Sequence, residues 1–182
     1  MMTNDINWQD MFNKLYPDFF ALPSIRSLPA DGRWEEMVLP LDGYSEDAIK
    51  IDVPPGITFG FYDGGLEALR AVVARVDDGW PALYRPESRT FCAFDGDRIA
   101  SFCMLEKMGE YQGLRVGGPG CVGTVPEYRK QGIGLRMVQL ATGILAREGF
   151  DISYIHYTGV ARWYARLGYR TIARWGREGV EK

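Results

Sequence analysis

Residues 125–134 read Val-Pro-Glu-Tyr-Arg-Lys-Gln-Gly-Ile-Gly. An apolar run ends at Val125, and a Pro-Glu-Tyr turn follows. Arg129 and Lys130 then precede Gly132 and Gly134 at the start of a helical pattern. This spacing suits an anion. The first turn of a helix carries unpaired N–H groups and the positive end of the helix dipole. Glycines let ligand oxygens approach that backbone with no Cβ in the way, and the two cations add charge. The junction therefore predicts a phosphate or diphosphate site. It does not fit a dinucleotide fingerprint, which wants a third glycine where Met137 stands, nor a Walker loop, which wants Gly-Lys-Ser/Thr. A tight strand–helix turn with two solvated cations remains the structural alternative.

The elements that must position this junction follow from periodicity. Trp8, Met11, Phe12, Leu15, Tyr16 and Phe19 form one helical stripe, which Pro17 ends or bends. Residues 21–55 are rich in Pro, Gly and Asp and show no sustained period, yet hold too many large apolar side chains for a disordered linker. They are expected to be irregular and packed on the main body. A first strand begins at Gly56, and a helix follows with Leu66, Leu69, Val72, Val73 and Val76 on its buried face. Two strands flank Asp-Gly-Asp, a hairpin turn. Residues 114–125 read as a further strand, with a bulge or turn suggested by Gly117, Gly118, Pro119 and Gly120. The clearest helix spans 132–148. A buried strand, a short helix ended by Gly168 and an alternating last strand complete an α/β or α+β layer arrangement. The expected division is an N-terminal extension over 1–55 and a main domain over 56–182.

Composition narrows the class. The 182-residue chain has a net charge of −3 and 46% hydrophobic residues. That is ordinary for a globular protein and too mild for general nucleic-acid binding. No apolar run approaches membrane-helix length, so no membrane partner is expected. Residues 1–63 hold eleven acids against four bases, whereas residues 115–177 hold ten bases against three acids. An anion is thus favoured in the C-terminal part and a cation in the N-terminal part, with solvated surface charge as the plain alternative. Cys92, Cys103 and Cys121 form no pair or metal spacing, and with one histidine no metal site is expected. Reduced thiols and the lack of a secretory leader point to the cytoplasm.

The Arg129-x-x-Gly132-x-Gly134 string, followed by Ala161, Trp163, Tyr164, Gly168 and Tyr169 in order, resembles the GCN5-related N-acetyltransferase family over roughly residues 56–175. The resemblance implies a mixed, twisted sheet in which two neighbouring parallel strands splay apart and admit acetyl-CoA. It implies that the backbone of Gly123 and Val125 pairs with the pantetheine arm. The amides of Lys130, Gln131, Gly132, Ile133, Gly134 and Leu135 would hold the pyrophosphate. One departure is Thr158, where the family often has Asn.

The implied reaction is direct acetyl transfer to a primary amine of a small or peptidyl acceptor. Tyr164, by resemblance, would protonate the leaving sulfur; otherwise it is a packed core aromatic. Glu106 closes the strand Ser-Phe-Cys-Met-Leu-Glu and could be the base, directly or through water, or an exposed carboxylate beside Lys107. His156 could be a base or a packed, hydrogen-bonded residue. Cys121 lacks the partners of a nucleophile. Arg162 and Arg166 could approach the cofactor's 3′-phosphate or simply be solvated. The acidic first third suggests a cationic acceptor, and the aromatic first helix could serve a homodimer. The rival reading is a non-catalytic, acyl-CoA-binding regulatory module.

Overall fold

The computed structural model describes residues 6–181, so the first five residues of the expected extension lie outside the described residues. The chain forms an eight-stranded mixed sheet with strand order β2-β3-β4-β5-β6-β1-β7-β8. Its contacts divide it into two compact units, and strands β4 (Arg98–Tyr111) and β5 (Leu114–Thr124) run from one to the other.

The first unit comprises residues 1–43, 107–118 and 149–182. It opens with α1 (Trp8–Leu15), whose Asn7 side chain accepts from the Asp10 amide at 3.1 Å. Such a cap satisfies one of the orphan donors of a first turn. The helix stops before Pro17, since the residue preceding proline avoids helical backbone. Met11 and Phe12 bury against Phe19, Val38, Tyr154 and Trp175, and α2 (Pro23–Arg26) adds Ile25.

This unit also overturns one expectation. Within the stretch read as irregular, Trp34–Pro40 is a strand, β1. It pairs antiparallel with β6 (Ile152–Thr158) on one side and β7 (Arg170–Gly176) on the other. Its neighbours on both edges explain why Glu36, Met37 and Val38 are all buried, a pattern without the alternation of a half-exposed strand. A two-residue strand, β8 (Gly179–Val180), closes on β7. The short helix α5 (Ala161–Ala165) follows β6. β5 pairs with β6 in parallel at Val116↔Ile152 and Gly117↔Ser153.

The second unit comprises residues 44–106 and 119–148. The expected first strand is β2 (Ile57–Phe61), and it pairs with β3 (Thr90–Asp95). The Asp-Gly-Asp hairpin joins β3 to β4 with Asp95 opposite Arg98. Helix α3 (Leu66–Val73) buries Leu69 and Val73 against Tyr84, Cys92, Phe102 and Met104. Helix α4 (Ile133–Arg147) inserts Ile133 beside Ala93 and Ala100. Among the described residues no helix is long and apolar enough to cross a membrane.

Candidate active site

In the second unit the chain leaves β5 and enters α4 through a braced turn. The Val125 amide donates to the Ala100 carbonyl at 3.0 Å, and the Val125 carbonyl accepts from the Tyr128 amide at 2.9 Å. Arg75 holds Glu127 with two bonds of 2.7 and 2.9 Å. That bond keeps the Glu127 carboxyl below its usual range. The Tyr128 hydroxyl donates to Asp95 at 2.8 Å. Arg129 Nε donates back to the Thr124 carbonyl at 3.0 Å, which ties the turn to the strand's last residue.

Lys130 and Gly132 then take left-handed backbone, with φ of 62° and 78°. Gly132 is the N-cap of α4, and no side chain caps that helix. The first helical bond runs from the Arg136 amide to the Gly132 carbonyl at 2.9 Å. The amides of the first turn, at Ile133, Gly134 and Leu135, thus form the donor end of a helix without a capping side chain. That arrangement suits an anion.

Gly132 has a second reason to be glycine. A Cβ there would strike the Asp52 carbonyl. Asp52 ends a strap, residues 44–52, that lies along α4. Tyr44 donates to the Gln139 carbonyl at 2.9 Å, and Gln139 Nε2 to the Ile49 carbonyl at 2.8 Å. Arg136 joins the Glu46 carbonyl at 2.9 Å to Gln139 Oε1 at 2.6 Å. The Glu46 carboxylate takes Arg147 at 2.6 Å and fills the place a Cβ on Gly143 would need. The strap is therefore fixed along the helix by polar pins, with its end at the α4 N-terminus.

Gly123 and Glu106 belong to the same unit. Gly123 is buried, its carbonyl accepts from Ser101 Oγ at 2.6 Å, and a Cβ on it would meet the Phe102 ring. Glu106 is half-buried and packs on Gly120, whose Cβ would fall 2.6 Å from Glu106 Oε2. The irregular backbone expected at 117–120 lies one residue on: Cys121 has φ of 45°. The Tyr84 hydroxyl donates to the Cys121 carbonyl at 3.1 Å. Burial, with Glu106 and Asp77 adding to it, pushes the Cys121 thiol up to about 12.

Tyr164 belongs to the first unit. It is buried on α5 and packs edge-on against Trp163 and Tyr169, at centroid distances of 4.8 and 5.9 Å. Thr158, the departure from the family pattern, accepts from the Val160 amide at 3.1 Å and so shapes the entry to α5. Arg162 and Arg166 are exposed.

The residue missed by sequence reasoning is Glu36. It is fully buried, and its Oε1 accepts from Trp175 Nε1 at 2.7 Å and from the Tyr157 amide at 3.1 Å. Its Oε2 lies 2.9 Å from His156 Nδ1. No local pattern marks it, because its partners stand more than a hundred residues away along the chain. The only available signal was the run Trp-Glu-Glu-Met-Val-Leu, apolar on both sides of two acids.

The profile of the acetyltransferase (GNAT) domain matches residues 86–171. That match covers just under half of the chain, and the sheet around it has the fold of GCN5-related N-acetyltransferases. The fold is shared with solved structures. One is the glucosamine N-acetyltransferase region of a fungal multi-domain β-N-acetylglucosaminidase: TM-score 0.64, 22% identity, 80% of this chain and 20% of that one. Another is a GCN5-related N-acetyltransferase from Sphaerobacter thermophilus: TM-score 0.55, 22% identity, 79% and 50%. A third is a tandem GNAT protein from the clavulanic acid biosynthesis pathway: TM-score 0.58, 14% identity, 81% and 53%. This chain thus spans about half or less of each. No curated protein matches it in sequence.

Proposed function

We propose that this chain transfers the acetyl group of acetyl-CoA to a primary amine of a small or peptidyl acceptor by direct attack. The observation that carries the reading is the α4 N-terminus. It has no side-chain cap, it follows two left-handed residues, and it lies in the matched domain beside Arg129 and Lys130. The amides of Lys130, Gln131, Gly132, Ile133, Gly134 and Leu135 would hold the diphosphate. The pantetheine arm would pair with β5 at Gly123. Val125, whose N–H and carbonyl already bond within the protein, would support the strand end.

An alkylammonium acceptor has a pKa of ~10.4, so freeing its lone pair near pH 7 costs about 4–5 kcal/mol. In our assignment Glu106 takes a proton from nitrogen as the C–N bond forms, and Tyr164 gives one to the departing sulfur. The half-buried carboxylate and the acidic N-terminal part favour a cationic acceptor: a polyamine, an amino sugar or a lysine side chain. Free, largely buried cysteines fit a reducing cytoplasm.

Thiol release from acetyl-CoA tests the reading, with spermidine, glucosamine, a lysine peptide and glycine as acceptors. We expect release with a cationic member of the panel and little with glycine. Tyr164→Phe should lower kcat about 10–100-fold and leave coenzyme A binding intact. Release with glycine alone would contradict the cationic assignment, and release with none would contradict the transferase.

A further inference from the structure

The second unit ends on a strand edge that its own chain leaves open. β2 is the outermost strand at one end of the sheet, with β3 as its one neighbour among the described residues. Hydrogen-bond parity says which of its groups are already paired. The Tyr62 amide donates to the Thr90 carbonyl at 2.9 Å. The register from Ile57↔Asp95 to Phe61↔Phe91 is unbroken. Antiparallel pairs alternate between bonded and non-bonded sites, so Thr58 and Gly60 face β3 as Tyr62 does. The N–H and C=O groups of Ile57, Phe59 and Phe61 therefore point the other way. Among the described residues no hydrogen bond from another element reaches them.

Edge strands are ordinarily blunted by a charge, a proline, a bulge or brevity. β8, in the first unit, is two residues long. β2 has none of these devices: it reads Ile-Thr-Phe-Gly-Phe. Ile57, Phe59 and Phe61 share one face. Ile57 and Phe59 are half-buried and pack against Ala93, Ala100 and Ile133. Phe61 is 46% exposed, with the Phe91 ring edge-on at 5.4 Å and the Arg89 guanidinium over it at 5.1 Å. The edge thus presents unpaired backbone and an apolar row together.

We propose that two copies of this chain pair through β2, antiparallel about a two-fold axis at Phe59. The proposal is independent of the acetyl-transfer reading. A second copy is the occupant because the edge is complementary to itself. Its three outward residues are symmetric about Phe59, so Phe59 faces Phe59 of the second copy and Ile57 faces Phe61 of the second copy. Every outward N–H then meets an outward carbonyl, and the apolar row continues across the axis. The register is set as well. A slip of two residues in one direction puts Pro55, which has no N–H, against Phe61; in the other it puts Asp63 against Ile57. An isologous pairing of this kind consumes the edge and closes at two. Five residues bury less than the ~1,200–2,000 Å² of a standard interface, so the dimer is reversible and concentration-dependent.

Sedimentation equilibrium of the chain from about 10 µM to about 1 mM tests the association. We expect the mass to rise from one chain to two and no further. Phe61→Lys should raise the dissociation constant at least about 10-fold and leave the melting temperature of the dilute protein unchanged. Cysteine pairs test the register at positions that tolerate them. Thr58 is exposed, and a Cβ on Gly60 would meet nothing within 4 Å. In the proposed pair Thr58 of one copy stands opposite Gly60 of the other, at a non-bonded site with Cα atoms about 4.5 Å apart, within disulfide range. A mixture of Thr58→Cys and Gly60→Cys chains should therefore give a disulfide-linked dimer on mild oxidation. Either variant alone sets its two new thiols on a diagonal of about 7–8 Å and should not link, nor should the wild type. The proposal is overturned by a chain that stays monomeric throughout, by a mass that climbs past two, or by a Phe61→Lys protein that pairs as the wild type does. A dimer that the mixture fails to link, or one that either variant alone links as well, overturns it too.

Discussion

Cys121 tests whether the proposed transfer is direct. Its thiol sits beside Glu106 in left-handed backbone and is pushed up to about 12, first by burial and then by Glu106 and Asp77. At pH 7.5 the thiolate fraction is then roughly one part in 10⁴–10⁵, too little for a competent nucleophile. Iodoacetamide should alkylate Cys121 slowly until the pH nears that value. Cys121→Ala should keep most of kcat, with no acetyl-enzyme detected by mass spectrometry. A burst of acetylated Cys121 would contradict direct attack. Among single residues, some candidates are legible in sequence because the motif spacing is local: Arg129, Gly132 and Gly134 within one string, Tyr164 within another. Glu36 was not, since its hydrogen bonds are made by three strands brought together and no string of neighbours encodes them.

At the scale of elements, α4 and its strap explain glycines that the sequence leaves ambiguous. A mid-helix glycine such as Gly143 ordinarily costs ~1 kcal/mol relative to alanine. Here the Glu46 carboxylate occupies the space of its Cβ. Gly143→Ala should therefore destabilise the wild type by about 1–3 kcal/mol. In a Glu46→Ala background it should become neutral or stabilising by up to about 1 kcal/mol. Additive effects in urea unfolding would contradict the packing. Gly132→Ala meets both positive φ and the Asp52 carbonyl, so about 1–3 kcal/mol of stability and the coenzyme A site should fail together. The turn between β5 and α4 adds a pH signature. Arg75 holds the Glu127 carboxyl below its usual range, so its folded value is depressed. The pair's contribution is present above the unfolded carboxylate range, near ~4.3, and is lost as pH falls through the folded value. The melting temperatures of wild type and Arg75→Ala should differ at pH 7 and converge in acid. Strands β2 to β7 and helices α3 to α5 were legible because each kept its own period. β1 was not. It is buried from both edges, carries two acids and ends in proline, so neither alternation nor composition marks it.

For the whole molecule, the uneven charge along the chain gains meaning from the site. Ten bases over residues 115–177 include Arg129 and Lys130 at the proposed diphosphate, while acids crowd the first third. Fold class was legible from element order. The second unit carries the candidate cofactor residues and Glu106, whereas Tyr164 and the Glu36–His156 pair belong to the first. In the proposed transfer the acceptor would be set by side chains and loops around the thioester, and shared fold does not supply it. The central claim is that a coenzyme A diphosphate rests on the bare amides where β5 gives way to α4. A crystal structure of the chain with coenzyme A tests it most directly. The account predicts diphosphate oxygens within hydrogen-bond distance of the amides between Lys130 and Leu135. Coenzyme A bound elsewhere on the chain, with those amides untouched, would contradict it.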